Sequence, residues 1–254
     1  MVSCSDWYSN SPLSRIKVEL WYGQQEMSCA KPIDSDTFNW SIELLAFFLS
    51  DLSIEQDGQQ LFLPLTSNDW QTTNLALLRF TKAQCADKKQ QVLDDDVLAE
   101  QPFQSLQLAV PLALAETTQL RFTLGLPFDI NHLNPLSQPS PLNMPSMFWS
   151  WRGGHKFLRL DMLGEQDAWN FHLGSTGCTS ASAMRSPQTE CVHANTLHFS
   201  LSKQQQGERL IVHLDKLLQG LELNGRNSCL MQSDKTSCQV LMSNLTDNGV
   251  FEWR

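Results

Sequence analysis

Residues 120–178 read LRFTLGLPFDINHLNPLSQPSPLNMPSMFWSWRGGHKFLRLDMLGEQDAWNFHLGSTGC, and the order of patterns within them decides the fold. Leu120, Phe122, Leu124 and Leu126 alternate with Arg121, Thr123 and Gly125, the period of a half-buried strand. Prolines 127, 135, 139, 141 and 145 then break regular structure across residues 127–147. A long irregular connection inside a compact domain is usually functional, and proline restricts its freedom when unfolded. Lys156–Met162 and Trp169–Leu173 follow as two strands around a turn at Gly164–Asp167. In the second strand Trp169, Phe171 and Leu173 share one face, so Asn170 and His172 point to the other.

Working outward, Arg15–Tyr22 alternates as a strand, and Trp40–Leu49 is apolar enough for a buried one. Leu52–Ile54 and Leu61–Leu65 flank the turn pair Asp57-Gly58, and Leu75–Phe80 is a further apolar strand. Asp94, Asp95 and Asp96 lack the alternate spacing and glycine of a calcium loop and read as a solvated turn or helix start. Leu197–Leu201 and Arg209–Leu214 are strands, and Asp215 is placed to cap a short helix over Asp215–Leu221. The remainder reads as a cysteine-stapled loop and a tail. Residues 1–14 read as a flexible N-terminal tail, leaving one domain over 15–254. Many short strands between turn residues predict an all-β, β-sandwich-like fold with long irregular loops and disulfides.

The 254 residues carry a formal charge of −9, with no basic run, which argues against a nucleic-acid or phosphate surface. The seven cysteines contain no C-x-x-C pair, so a structural zinc site is not indicated. By neighbourhood Cys178 pairs with Cys191 and Cys229 with Cys238, leaving Cys29 and Cys85 as a long-range pair. Disulfides point to an oxidising compartment, here the periplasm or the cell surface. Cys4 is left over. A small residue directly before a near-terminal cysteine resembles the end of a lipoprotein signal, which makes Cys4 a candidate lipid anchor; a spare thiol is the plain alternative. No apolar run is long enough for a spanning helix, so any membrane contact is expected only through that anchor.

The sequence has no nucleophile elbow, P-loop, dinucleotide fingerprint or H-E-x-x-H. Its chemistry rests on His132, His155 and His172, with Trp149 and Trp151 nearby. Imidazole suits copper, zinc, iron and nickel alike, and an ion shared by His132 and His172 would tie the proline-rich loop to the sheet. The plain alternative is that each imidazole hydrogen-bonds a backbone carbonyl and that the indoles are core or sugar-stacking residues. In that case the chain is an extracellular recognition module for a glycan or a protein. A metal-dependent enzyme would need a general base, for which Asp129 and Asp161 are the local carboxylates.

PFDINH (127–132), PLN (141–143), MFWSWRGGHKFLRLD (147–161) and FHLGSTGC (171–178), continuing to Pro187 and Cys191, resemble the MbnP-like family. The likeness runs from about residue 15 to about residue 200 and is most specific over 147–178. It implies a four-cysteine motif and a partner of the MauG type, the dihaem cytochrome c peroxidase called MbnH. The family is similar in function to the copper-binding surface proteins MopE and CorA. There copper, as Cu+ or Cu2+, is held by histidines and by kynurenine, a tryptophan whose ring has been opened oxidatively. Carried over by motif, the resemblance implies His132 and His172 as copper ligands and Trp149 or Trp151 as the tryptophan modified. It also implies that the chain is the peroxidase's substrate rather than an enzyme. Two features depart from the family. His155 stands where members usually have tyrosine, so it either adds a third imidazole or fills the aromatic's space. Cys229 and Cys238 go beyond the four-cysteine core.

Overall fold

The computed structural model describes residues 14–27, 40–81, 104–110, 112, 118–150, 152–204, 208–231 and 234–254. Residues 1–13, Cys4, Cys29, Cys85, Asp94–Asp96 and Trp151 therefore lie outside the described residues. In chain order the strands are β1 (Arg15–Tyr22), β2 (Gln25–Glu26), β3 (Ser41–Gln56), β4 (Gln59–Phe62), β5 (Leu75–Thr81), β6 (Ser105–Gln107) and β7 (Gln119–Leu124). After the proline-rich segment come β8 (Phe148–Ser150), β9 (Gly154–Leu163), β10 (Ala168–Gly174), β11 (Leu197–Ser202), β12 (Arg209–His213) and β13 (Phe251–Trp253).

The apolar run from Ser41 makes β3 the spine of the larger sheet. Ala46 pairs with Arg79 on one edge and Arg159 on the other; Leu49 pairs with Ala76 and Leu124. Thus β5 lies along one edge, while β9 and then β7 lie end to end along the other. Separate strands ending at Leu49 and starting at Leu52 were the expectation; β3 instead runs through. Asp51 takes φ 53°, a left-handed conformation that aspartate tolerates, and the ladder to β7 resumes at Ser53 after a register shift. The smaller sheet runs β13-β12-β1, with β2 and β6 also on β1, and β1 pairs parallel with β12. The two sheets meet through aromatic rings: Phe251 of the smaller packs edge-on against Phe47, Phe122 and Phe199 of the larger. The all-β, sandwich-like fold follows the alternation in the sequence.

The hairpin of β9 and β10 has the expected faces. Leu158, Leu160 and Met162 pair with Leu173, Phe171 and Trp169, and all six side chains are buried. Arg159 pairs with His172 and Asp161 with Asn170 on the opposite face. The outer edge of β10 is covered by the backbone at Cys229, which accepts from His172 N and donates to Asn170 O. A covered edge offers no ladder to a foreign strand.

Three local expectations are corrected. The proline-rich segment is not without regular structure: it holds the helical turn α1 (Phe128–Asn131) and 3-10 turns at Pro135–Ser137 and Pro145–Met147. The short helix near residue 215 is α2 (Leu214–Leu217), with His213 rather than Asp215 at the cap position. The C-terminal stretch is not a loop and tail but helix α3 (Thr236–Asp247) followed by β13. Its buried Cys238, Leu241 and Leu245 follow a helical spacing that the apolar run Val240–Met242 conceals. Disulfides join Cys178 to Cys191 and Cys229 to Cys238. Among the described residues no helix is long and apolar enough to cross a membrane.

Phe47 is fully buried on the spine, stacked with Phe80 and edge-on to Phe251. Phe47→Ala is expected to lower unfolding stability by about 3–5 kcal/mol, measured as a shift of the urea midpoint at unchanged slope.

Candidate metal centre

α1 is one helical turn whose last residue, Asn131, is buried and faces the sheet. Its amide nitrogen donates to Ser175 Oγ at 3.1 Å and to His132 Nε2 at 3.2 Å. Its side-chain oxygen accepts from His155 N at 2.8 Å, and its carbonyl oxygen lies 2.8 Å from His155 Nδ1. The amide thus ties the proline-rich loop to both β9 and the end of β10. Space for it depends on Gly154, which has φ 73° and whose added Cβ would fall 2.6 Å from Asn131 Oδ1. The Gly153-Gly154 pair is therefore a packing requirement as well as a turn.

His132 is buried beside the Cys178–Cys191 disulfide, with Nε2 3.4 Å from Cys191 Sγ. Its carbonyl oxygen accepts from Ser186 Oγ, in the loop that the disulfide closes. The ligand atoms of His132, Cys178 and Cys191 all lie within 4.8 Å of one another.

His155 is fully buried, with Nδ1 on Asn131 O and Nε2 on Leu142 O, both at 2.8 Å. Its ring packs edge-on against Phe48 and Phe148. Burial pushes its pKa below the ordinary 6.5, and the two carbonyl bonds only partly oppose this. It occupies an aromatic slot and bridges two points of the loop.

His172 lies on the outer face of β10. Its Nε2 meets Asp161 Oδ1 at 2.7 Å, and Arg159 Nε donates to Asp161 Oδ2 at 2.7 Å. Nδ1 of His172 makes no hydrogen bond among the described residues. Burial raises the Asp161 pKa, but the hydrogen bonds from His172 and Arg159 and their charges outweigh it, leaving the carboxyl below its ordinary 3.8.

Trp149 is on that side and exposed, with its ring against Gly174, two residues along from His172. An added Cβ at Gly174 would lie 2.7 Å from the indole. Lys156 Nζ lies 6.0 Å from the ring centre, and burial, with repulsion from Arg159, lowers its pKa to about 8. Lys156 Nζ and Arg159 Nη1 both donate to Ser146 O.

The family model of MbnP matches residues 11–232. The chain belongs to the MbnP family. The solved structure of MbnP from Methylosinus trichosporium is similar to it with a TM-score of 0.72 at 20% identity, covering 91% of this chain and 86% of that one. At that identity the likeness speaks for the fold. No curated protein matches the sequence.

In this MbnP-family chain the residues singled out by sequence fall into two groups around β10. His132 and His155 gather at Asn131, beneath the proline-rich loop. His172 and Trp149 share the outer face. Among the described residues, no set of three histidine, cysteine or carboxylate ligand atoms within 4.8 Å includes His172 or His155. Asp129 is exposed, whereas Asp161 is the partner of His172. His198 meets Thr123 and His213 meets Glu252. Reading by motif passed over Asn131 and Ser175, because an amide and a hydroxyl carry no ligand signature. The only hint of Asn131 was its place beside a histidine next to a loop.

A carboxyl whose pKa is depressed on folding adds stability above its unfolded value, and that stability is lost as pH falls through the folded value. The acid-induced loss of stability between about pH 5 and about pH 2 is therefore expected to be shallower in Asp161→Asn than in the wild type. Urea midpoints measured across that range for both proteins check this, since Glu19 and Glu252 are also depressed and are common to both.

Proposed function

We propose that this MbnP-family chain is an exported copper-binding protein of the periplasm or cell surface, with His132 and His172 as ligands. The observation that carries the reading is the orientation of His172. Asp161 holds Nε2–H, and Arg159 holds Asp161, so the lone pair of Nδ1 is left for a metal. Metal-bound histidines commonly have their second nitrogen fixed by a carboxylate in this way. His132 would join from the loop, with the metal replacing the Asn131 amide as the partner of Nε2. His155 already has both nitrogens on carbonyl oxygens and is assigned to holding the loop. Copper, when bound, supplies a soft cation that favours imidazole and weak nitrogen donors.

The partner in this reading is a dihaem cytochrome c peroxidase of the MauG type, and the chain is its substrate, not a catalyst. Trp149 or Trp151 is the residue oxidised. Trp149 is reachable from outside and its ring lies against Gly174, two residues from His172, which supports it as a candidate. Uptake of two oxygens followed by loss of the formyl group as formate would leave an aniline nitrogen where the indole offers only a donor N–H. The half-exposed indole also favours a second reading, an extracellular module that stacks a glycan or a protein on Trp149.

Competition against a cuprous chelator is expected to give about one copper per chain and no comparable zinc, weakened at least tenfold in His132→Ala and in His172→Ala. Exposure to the peroxidase and peroxide is expected to add about 4 Da to a peptide containing Trp149 or Trp151. Unchanged copper affinity in the double variant would overturn the reading and leave the recognition module.

A further inference from the structure

His132, Cys178 and Cys191 bring one imidazole nitrogen and two sulfurs within 4.8 Å of one another. Joined to each other, the sulfurs are poor ligands; as thiolates they would be soft donors of the kind that select cuprous ion. We propose that the Cys178–Cys191 disulfide masks a second, redox-gated site, in which reduction exposes a Cys2His set that binds Cu+.

The surroundings keep the three ligands in place without the disulfide. Thr176 and His193 exchange backbone hydrogen bonds at 2.9 and 3.0 Å, and Val192 N donates to Gly177 O at 3.4 Å. This short ladder holds the backbones leading to Cys178 and Cys191 side by side, with their Cα atoms 4.1 Å apart. Ser175 Oγ donates to Ala194 O, bracing the same pair of segments. On the imidazole side, the Asn131 amide orients the His132 ring and Ser186 holds its carbonyl. His132 and Cys191 are buried, whereas Cys178 is half-buried between exposed Gly177 and Thr179. A reductant therefore has a route to one sulfur, while the ion would sit against buried partners.

The chemistry balances. A dithiol reductant gives two electrons and two protons to the disulfide, becoming a cyclic disulfide itself and leaving Cys178 and Cys191 as thiols. Binding of Cu+ then displaces both thiol protons to solvent. Two thiolates, one neutral imidazole and one cuprous ion leave a site with one net negative charge. This goes beyond the copper function proposed above: it requires neither His172 nor a modified tryptophan.

The test uses the full chain, oxidised or reduced with a phosphine, desalted without oxygen and titrated with Cu+ against a cuprous chelator. The phosphine becomes its oxide, taking oxygen from water, whose hydrogens pass to the thiols. Since the one His132 imidazole serves either site, reduced protein is expected to bind its copper at least tenfold more tightly than oxidised protein, with sulfur neighbours in copper X-ray absorption. That sulfur-ligated binding is expected to vanish in Cys178→Ser/Cys191→Ser, to weaken at least tenfold in His132→Ala, and to persist in His172→Ala. The last result separates this site from the one proposed above. Cys191→Ser needs no reductant and leaves the Cys178 thiol beside His132 with Cys229–Cys238 still oxidised. It is expected to bind Cu+ more tightly than Cys178→Ser/Cys191→Ser, so the test survives any unfolding on reduction. Equal copper affinity of reduced and oxidised wild type, retention of the sulfur-ligated binding by the double cysteine variant, or equal affinity of Cys191→Ser and the double variant would each overturn the proposal.

Discussion

The buried amide of Asn131 is the constraint on which the site depends. An amide taken from water without partners costs several kcal/mol, so it must find donors and acceptors where it is buried. Asn131 does so on two other segments and on its own: Ser175 after β10, the backbone of His155 at the start of β9, and the ring of its neighbour His132. With those bonds made, the loop cannot slide relative to the hairpin without leaving buried polar atoms unpaired. Gly154 is the steric counterpart, since any side chain there would occupy the volume of the amide.

His155 fixes the loop a second time, by different chemistry. Its ring joins the carbonyls of Asn131 and Leu142, which lie at opposite ends of a segment punctuated by proline. Proline removes N–H donors, so such a segment has more carbonyl acceptors than it can satisfy internally. A buried imidazole whose pKa is lowered carries one N–H and donates it to one of those carbonyls, and its flat ring also packs edge-on to Phe48 of the spine strand. The proline-rich loop is thereby ordered by side chains from the sheet, with only single turns of helix of its own.

The sandwich was legible because alternation reports burial directly. The faces of β10 could be read from Trp169, Phe171 and Leu173, and the position of His172 off the hydrophobic face followed. Continuity of β3 through Asp51 was not legible, since a left-handed aspartate inside a strand looks like a break. α3 was hidden because the consecutive Val240, Leu241 and Met242 blur its helical period. At the site, the types of residue were legible and their partners were not. Spacing places His172 on a face, but only the register of β9 against β10 sets Asp161 within reach of it. The alternative that an imidazole simply bonds backbone carbonyls describes His155 well and His172 not at all.

The alternation of β10 also explains how one strand can serve two different environments. His172 faces outward, whereas Phe171 and Leu173 lie on the inner side; the register shifts between Leu173 and Gly174, and Ser175 beyond it is buried. The outer face presents an imidazole oriented by a carboxylate, and the inner side ends in the hydroxyl that anchors Asn131. Gly174 stands between them with no side chain, because the Trp149 ring and the carbonyl of His155 leave no room for one. The loop, the indole and the outer imidazole are thus referred to the same few residues of backbone. On the inner side Ser175 Oγ accepts from Asn131 and donates to Ala194 O, so one hydroxyl joins the loop to the segment that follows Cys191.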